Sequence, residues 1–330
     1  MRYPKKLEKG ATIGIICPSS PISAEREVQC VSVLEEMGFK VKKADNLTKN
    51  YAGYMAGTGE ERAAWINKMF ADKEVDAIFC VRGGDGGSRV IRHLDLDIIR
   101  SNPKIFVGYS DVTCLHMLFN QKCDLVTFHG PMVSSNMVDA FDDDTKNAFF
   151  DALTAEDTYE FKNPAEEPLE VLKSGKATGP VIGGNLSLIS AAVGTPSEMD
   201  TEGKIIFIEE VEEPLTKIEK WTYQLKLAGA FDKCKGVLLG QFTSVSNKYQ
   251  PEYDVKKLYE NYTPHEKNQN VPIPFLQAAA GRRPRRCHRR APAEWSPESR
   301  ILSAPAGIAA PRRAHLYRSR FLPPCSVESD

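Results

Sequence analysis

Between Thr12 and Phe128, short apolar β-rich runs take turns with stretches of helical spacing, and no other property of the chain constrains its fold as strongly. Thr12–Cys17, Phe39–Lys43, Val75–Val81, Ile105–Val107 and Asp124–Phe128 read as strands. Ala24–Met37, with Val28, Val31 and Leu34 on one face and Gly38 as its stop, reads as a helix, as do Glu60–Phe70, Arg89–Leu94 and the segment after Asp111. Parallel neighbours need a helical crossover, so this order specifies a parallel sheet with helices on both faces. Ligands of such a sheet bind where loops leave the carboxyl ends of its strands.

Three of those loops carry reactive residue types. Lys104 to Phe119 reads strand, sharp turn, helix, with Val112, Leu115, Leu118 and Phe119 at helical spacing, so Ser110 stands at the junction beside the free N–H groups of a helix start. A nucleophile elbow is built this way, although its usual second glycine is Val112 here. Ser110 or Asp111 could equally N-cap the helix, and the residues alone leave both roles open. Arg82-Gly-Gly-Asp-Gly-Gly-Ser88 follows the third strand, where bare backbone N–H groups can face an anion or a developing oxyanion. Its spacing is neither a dinucleotide fingerprint nor a P-loop, and a flexible surface loop is the alternative. The last strand ends in His129-Gly-Pro131, which brings His129 to the same edge as Ser110. His116, inside an apolar helix, reads as buried structure.

The chain divides into an N-terminal domain at 1–153, a connection at 154–168, a second domain at 169–277 and a tail at 278–330. Asp144–Leu153 closes the first domain as a helix. In the second, Val181 to Ile189 reads as a Gly-bearing turn entering a small-residue helix, Lys204–Ile208 and Gly236–Gly240 as strands, and Ile218–Leu227 as a helix. Glu209-Glu-Val-Glu-Glu-Pro214 leaves the Lys204–Ile208 strand. A carboxylate there can orient a histidine, the third role in a Ser-His-acid triad, or the run can be a solvated turn.

The net charge of −1 hides a change of vocabulary. Residues 271–330 hold eleven arginines, no lysine and four acidic groups, whereas the preceding residues use seven arginines among 32 basic residues. AAAGRRPRRCHRRAPAEW, from Ala278, lacks apolar periodicity and reads as translation in a different frame of a G+C-rich stretch; a basic arm for nucleic acid or an acidic surface is the other reading. Such a tail buries too little apolar surface to offset an ordering entropy of ~1–2 kcal/mol per residue, so loose packing and poor solubility are expected. The eight cysteines form no Cys-x-x-Cys pair and no metal-ligand spacing, and most sit in apolar runs as reduced, buried hydrophobes. No apolar run approaches the ~20 residues of a membrane span, and the first is too short for a signal sequence. A cytoplasmic protein without membrane or nucleic-acid partners is expected.

VRGGDGG at 81–87, NPKIFVGYSDVT at 102–113, TFHGPM at 127–132, GGNLSLISAAVGTP at 183–196 and IIFIEEVEEPLTKIEKWTYQL at 205–225, in that order and spacing, resemble the LD-carboxypeptidase family over residues 1 to about 277. That family contains murein tetrapeptide carboxypeptidases and relatives that confer immunity to microcin C. The resemblance implies an α/β fold, with an N-terminal doubly wound parallel-sheet domain plus a smaller C-terminal β-rich α/β domain, the active site between them, in a homodimer without metal, nucleotide or other cofactor. It implies a serine peptidase with a Ser-Glu-His triad that releases a terminal D-amino acid from an L,D-amide bond of a murein peptide. Residue by residue, the nucleophile carries over to Ser110 and the acid to Glu209, which should point into the cleft while Glu212 and Glu213 face solvent. Gly83, Gly84 and the Asp111 N–H carry over to the oxyanion and substrate-carboxylate region. The family's histidine should follow Val271-Pro-Ile-Pro-Phe275 in a Gly-His pattern, but Ala278-Ala-Ala-Gly-Arg-Arg-Pro stands there. His288 comes too late among arginines to be that base. An impaired enzyme, with His129 as the one residue placed to rescue it, or a peptide-binding homologue without activity is therefore expected.

Overall fold

The computed structural model describes residues 2–155, 169–262, 275–278 and 317–318. The first part of the chain runs β1 (Thr12–Ile16), α1 (Ala24–Glu36), β2 (Lys40–Lys43), α2 (Gly59–Ala71), β3 (Ala77–Cys80), α3 (Leu96–Ser101), β4 (Ile105–Gly108), α4 (Thr113–Cys123), β5 (Phe128–His129) and α5 (Asp143–Thr154). The second runs β6 (Leu169–Lys173), β7 (Val181–Asn185), α6 (Leu186–Ala191), β8 (Ile205–Val211), α7 (Leu215–Leu227), β9 (Gly236–Thr243), α8 (Val255–Tyr262) and β10 (Phe275–Ala278), with β11 (Tyr317–Arg318) beyond it.

Strands of the first sheet lie in the order β2-β1-β3-β4-β5, all parallel, with β11 antiparallel on the β5 edge. Every residue of β3 and β4 is buried, as continuous apolar runs covered on both faces must be. Phe106 and Phe119 meet edge to face at 5.0 Å, and Phe70 meets Phe119 at 5.6 Å. Helix starts follow their side chains: Thr58 and Glu61 form a reciprocal capping box on α2, and Ser23 caps α1. The winding reverses between β1 and β3, so the loops leaving these strands part and open a crevice.

The second sheet has the order β6-β10-β9-β8-β7, parallel except for β6. The whole is the expected α/β fold with two parallel-stranded units. The helix that starts at the Ser110 junction also joins them. Leu115, Leu118 and Phe119 of α4 lie in the first core, while Met117 lies in the second. On the same side as Met117, Thr113 Oγ1 accepts the Asn185 N–H at 3.0 Å and Gln121 Oε1 accepts the Asp200 N–H at 2.7 Å.

Three sequence expectations need correction. Arg89–Leu94 lies largely in a short 3-10 stretch, Gly87–His93, and the α-helix is the following α3. Asp124–Phe128 is not a five-residue strand: Asp124 ends α4 in the left-handed region at φ 53°, the Leu125 and Val126 N–H groups bond Phe119 and Arg2, Leu125 makes only an isolated bridge to Arg2, and pairing with β4 begins at Phe128. Val181–Gly184 is strand, not turn. Gly183 and Gly184 sit at φ 136° and 142°, and glycine is required there because a Cβ on Gly184 would also meet Thr113 Oγ1 at 2.6 Å and one on Gly183 would strike the Phe207 backbone.

Among the described residues no helix is long and apolar enough to cross a membrane. Residues 156–168 of the connection, His288, and the tail apart from Ala278 and Tyr317–Arg318 lie outside the described residues.

Candidate active site

Ser110 lies just past the end of β4, separated from it by Tyr109, and adopts φ 61°. The left-handed region costs a non-glycine residue about 1–2 kcal/mol, and such strain at a strand-to-helix turn holds a side chain clear of the sheet edge. The capping alternative fails. The residue preceding α4 is Val112, with no side chain capping the helix, and the Asp111 carboxylate turns inward, 5% exposed, to accept the Gly87 N–H at 2.6 Å. Ser110 is therefore an elbow, and Asp111 ties that elbow to the glycine-rich turn.

The turn is not a loose surface loop. The Ser20 N–H donates to Gly83 O at 3.3 Å, the Asp85 N–H donates to Ser20 Oγ at 3.2 Å, and Arg62 donates to Gly86 O at 2.9 Å. Gly83 lies directly against Ser110: a Cβ there would come within 3.0 Å of Ser110 Cβ and 3.1 Å of its Oγ. Only a residue without a side chain lets the backbone approach a serine hydroxyl so closely. Gly84 packs on Ser20 instead.

Glu209 lies within β8, in register with Asn185 of β7. Alternation along this strand puts Ile205, Phe207 and Glu209 on one face, and Ile206, Ile208 and Glu210 on the other. Glu210 is the structural carboxylate of the pair, accepting Asn185 Nδ2 at 2.6 Å and the Ser187 N–H at 2.9 Å where α6 begins. Glu209 faces the first sheet, its side chain 14% exposed and its Oε1 3.8 Å from His129 Nε2. Burial, with the neighbouring Glu210 charge second, pushes its carboxyl up to about 8. Glu212 is exposed, and Glu213 is half-buried beside Lys217 at 2.8 Å.

His129 pairs in register with Gly108, the residue two before Ser110. Its ring packs edge-on to Phe207 at 5.1 Å, and Nδ1 is buried without a hydrogen-bond partner, as is Glu209 Oε1. Burial and the neighbouring His116 push its imidazole down to about 3, so it is neutral near pH 7. His116 is fully paired structure: Gly108 O lies 2.8 Å from Nε2, which therefore carries the proton, and Thr127 Oγ1 lies 2.9 Å from Nδ1.

The sequence reading missed Arg62 and the Asp111 carboxyl group. Arg62 did leave a signal, because with Ile66 and Phe70 it forms the i, i+4, i+8 stripe that α2 buries. Cys17, Cys30, Cys80, Cys114, Cys123 and Cys234 are buried free thiols, pushed up by burial to about 11 for Cys30, Cys123 and Cys234, so none is a thiolate near neutral pH. Among the described residues no cluster of three or more His, Cys, Asp or Glu side chains is arranged to hold a metal ion.

Two family models match the chain, the LD-carboxypeptidase N-terminal domain over residues 13–130 and the LD-carboxypeptidase C-terminal domain over 178–281. A probable murein peptide carboxypeptidase of Bacillus subtilis (strain 168) is 40% identical over 261 residues, which is 78% of this chain and 81% of the relative. The microcin C7 self-immunity protein MccF of Escherichia coli is 31% identical over 283 residues, 76% of this chain and 81% of its own. A solved structure of a microcin C7 self-immunity protein MccF variant in complex with adenosine monophosphate superposes with a TM-score of 0.76 at 26% identity, covering 84% of this chain and 89% of that one. With both halves matched in order around the Ser110 crevice, the chain belongs to the LD-carboxypeptidase family.

Proposed function

We propose that this chain is built as a serine-type LD-carboxypeptidase that hydrolyses the L,D-amide bond of a murein tetrapeptide and releases its terminal D-alanine, a step of peptidoglycan recycling in the cytoplasm, as a homodimer. The observation that carries this reading is Ser110, held in the left-handed region at the end of β4 with the Gly83 backbone against its side chain. In this mechanism Ser110 Oγ attacks the scissile carbonyl carbon while its proton passes to a base. The Gly83–Gly84 turn and the Asp111 N–H receive the oxyanion or the substrate carboxylate, the C–N bond breaks, and the D-amino acid leaves with the proton. Water then cleaves the acyl-serine. Glu209 is the acid that orients the imidazole base and balances its charge.

The base is where this chain departs from its family. β10 runs parallel to β9 and β9 to β8, so the carboxyl end of β10 lies at the edge to which β8 carries Glu209. A Gly-His pair after β10 would therefore meet that acid; this chain has Ala279-Ala-Gly-Arg282 instead. We attribute that to a change of reading frame after about residue 277, and expect the chain as written to be nearly inactive. Among the described residues His129 is a histidine within reach of the acid, its Nε2 3.8 Å from Glu209 Oε1.

The substrate is tested by incubating the purified protein, and a version with a family ending restored, with murein tetrapeptide and with an acyl-sulfamoyl adenylate. Mass spectrometry should show D-alanine release from the tetrapeptide. Cleavage of the adenylate alone would assign the immunity-type activity, and tight binding of the tetrapeptide with no cleavage by either version would make the chain a binding protein.

A further inference from the structure

Arg62 is 1% exposed, and the oxygens that accept from it are neutral carbonyls. Its Nε donates to Gly57 O at 3.1 Å and Thr58 O at 3.3 Å, and its Nη1 donates to Gly86 O at 2.9 Å and to Pro18 O. These carbonyls belong to the loop leaving β1, the start of α2 and the glycine-rich turn after β3. Burying a guanidinium is costly, and a helix that only needed a filled core position would carry an apolar residue there. The counter-charge lies one peptide further on. The Gly86–Gly87 peptide turns its carbonyl to Arg62 and its N–H to the Asp111 carboxylate, at 2.6 Å. A buried cation and a buried carboxylate thus grip opposite ends of one peptide dipole, and Asp111 is the residue next to Ser110.

We propose that Arg62 and Asp111 are a positioning pair that acts through the Gly86–Gly87 peptide to lock the glycine-rich turn against Ser110. The reading of Ser110 as nucleophile comes from the function proposed above; the lock itself does not depend on it. The pair holds Gly83 at the serine hydroxyl without touching substrate. Burial raises the Asp111 carboxyl above its ordinary value, and the charged groups that act on it are Asp85 and Arg62. The Gly87 N–H therefore reports its ionisation directly.

The test uses the full chain and the variants Asp111→Asn, Arg62→Lys and the double variant. Asn keeps an acceptor but loses the charge; Lys keeps the charge but loses the fork. Hydrogen exchange of Gly87 should speed up about tenfold in each single variant, the scale of one hydrogen bond, and the double variant should be no faster than the faster single. In the parent the Gly87 amide proton should shift with one carboxyl titration above the ordinary aspartate range, and this shift should vanish in Asp111→Asn. Additive exchange effects, unchanged exchange at Gly87 with only a fall in global stability, or a Gly87 signal blind to Asp111 would each overturn the lock. A fluorophosphonate serine probe, applied to a version with its family ending restored and to the same variants made in it, separates the two readings. Labelling of Ser110 in that version that slows alike in both single variants ties the lock to the nucleophile, and unchanged labelling rates overturn that link. A restored version that never labels counts against the nucleophile and leaves the exchange result to decide the lock.

Discussion

The Glu209 carboxyl group and the His129 ring face each other across the two sheets as a neutral pair near pH 7, and the sign of each titration follows from burial. Glu209 keeps in the folded protein a proton that the unfolded chain has lost. Its stabilising contribution is complete below pH 4.5 and is lost as pH rises through about 8. His129 works in the opposite sense: its contribution is complete above pH 6.5 and is lost as pH falls toward about 3. Urea midpoints measured from pH 5 to 9 should therefore decline toward the alkaline end in the parent and decline less in Glu209→Gln; equal slopes would place the carboxyl in solvent. An imidazolium at hydrogen-bond distance would draw Glu209 back into its ionised form, as a triad acid requires. Gly83 is subject to a different force. Gly83→Ala adds a methyl 3.0 Å from Ser110 Cβ, so we predict a kcat loss on the order of 10²-fold with little change in urea midpoint, measured in a version with its family ending restored. Undiminished turnover would show that Ser110 tolerates displacement. The placement of Ser110 and of the glycine turn at strand exits was legible in the sequence because strand ends and helix starts leave local marks, whereas Glu209, which lies inside β8, was singled out only through the family resemblance. Arg62 and the Asp111 carboxyl group were not singled out, since their roles arise from a contact between loops 24 residues apart.

At the scale of elements, α4 decides how the two sheets meet. Its first residue, Thr113, is fully buried and accepts the Asn185 N–H, so the helix that begins at the elbow is tied to the strand beside β8. Thr113→Val keeps the shape and strands that N–H. The expected cost is about 1–3 kcal/mol, read from urea unfolding, together with reduced turnover in an active version. A neutral substitution would mean that the sheets are held by the apolar contacts of Met117 and its neighbours alone. The same junction explains why β7 escaped the sequence reading. Gly183-Gly184 looks like turn chemistry, and only the close approach of Phe207 and Thr113 from other elements makes glycine necessary inside a strand. β5 was overextended for a related reason: Leu125 and Val126 are apolar enough for a strand, but Asp124 turns the chain so that their N–H groups bond elsewhere.

For the whole molecule, the parallel alternation readable from Thr12 onward set the first sheet, and the order of its strands set the crevice. Contacts between the units were not readable, because nothing local in α4 marks Thr113 and Gln121 as facing a second domain. The account's central claim is that Ser110 is the nucleophile and that this chain lacks its base after β10. Three proteins measured side by side on murein tetrapeptide test it: the 330-residue chain, a version in which residues 278–330 are replaced by a family ending with its Gly-His pair, and that version carrying Ser110→Ala. The account predicts D-alanine release by the second alone, with the first slower by several orders of magnitude, about 10³-fold or more, and the third inactive though folded. Full activity of the 330-residue chain, or more than about a tenth of the parent rate in Ser110→Ala against that expected loss, would contradict it.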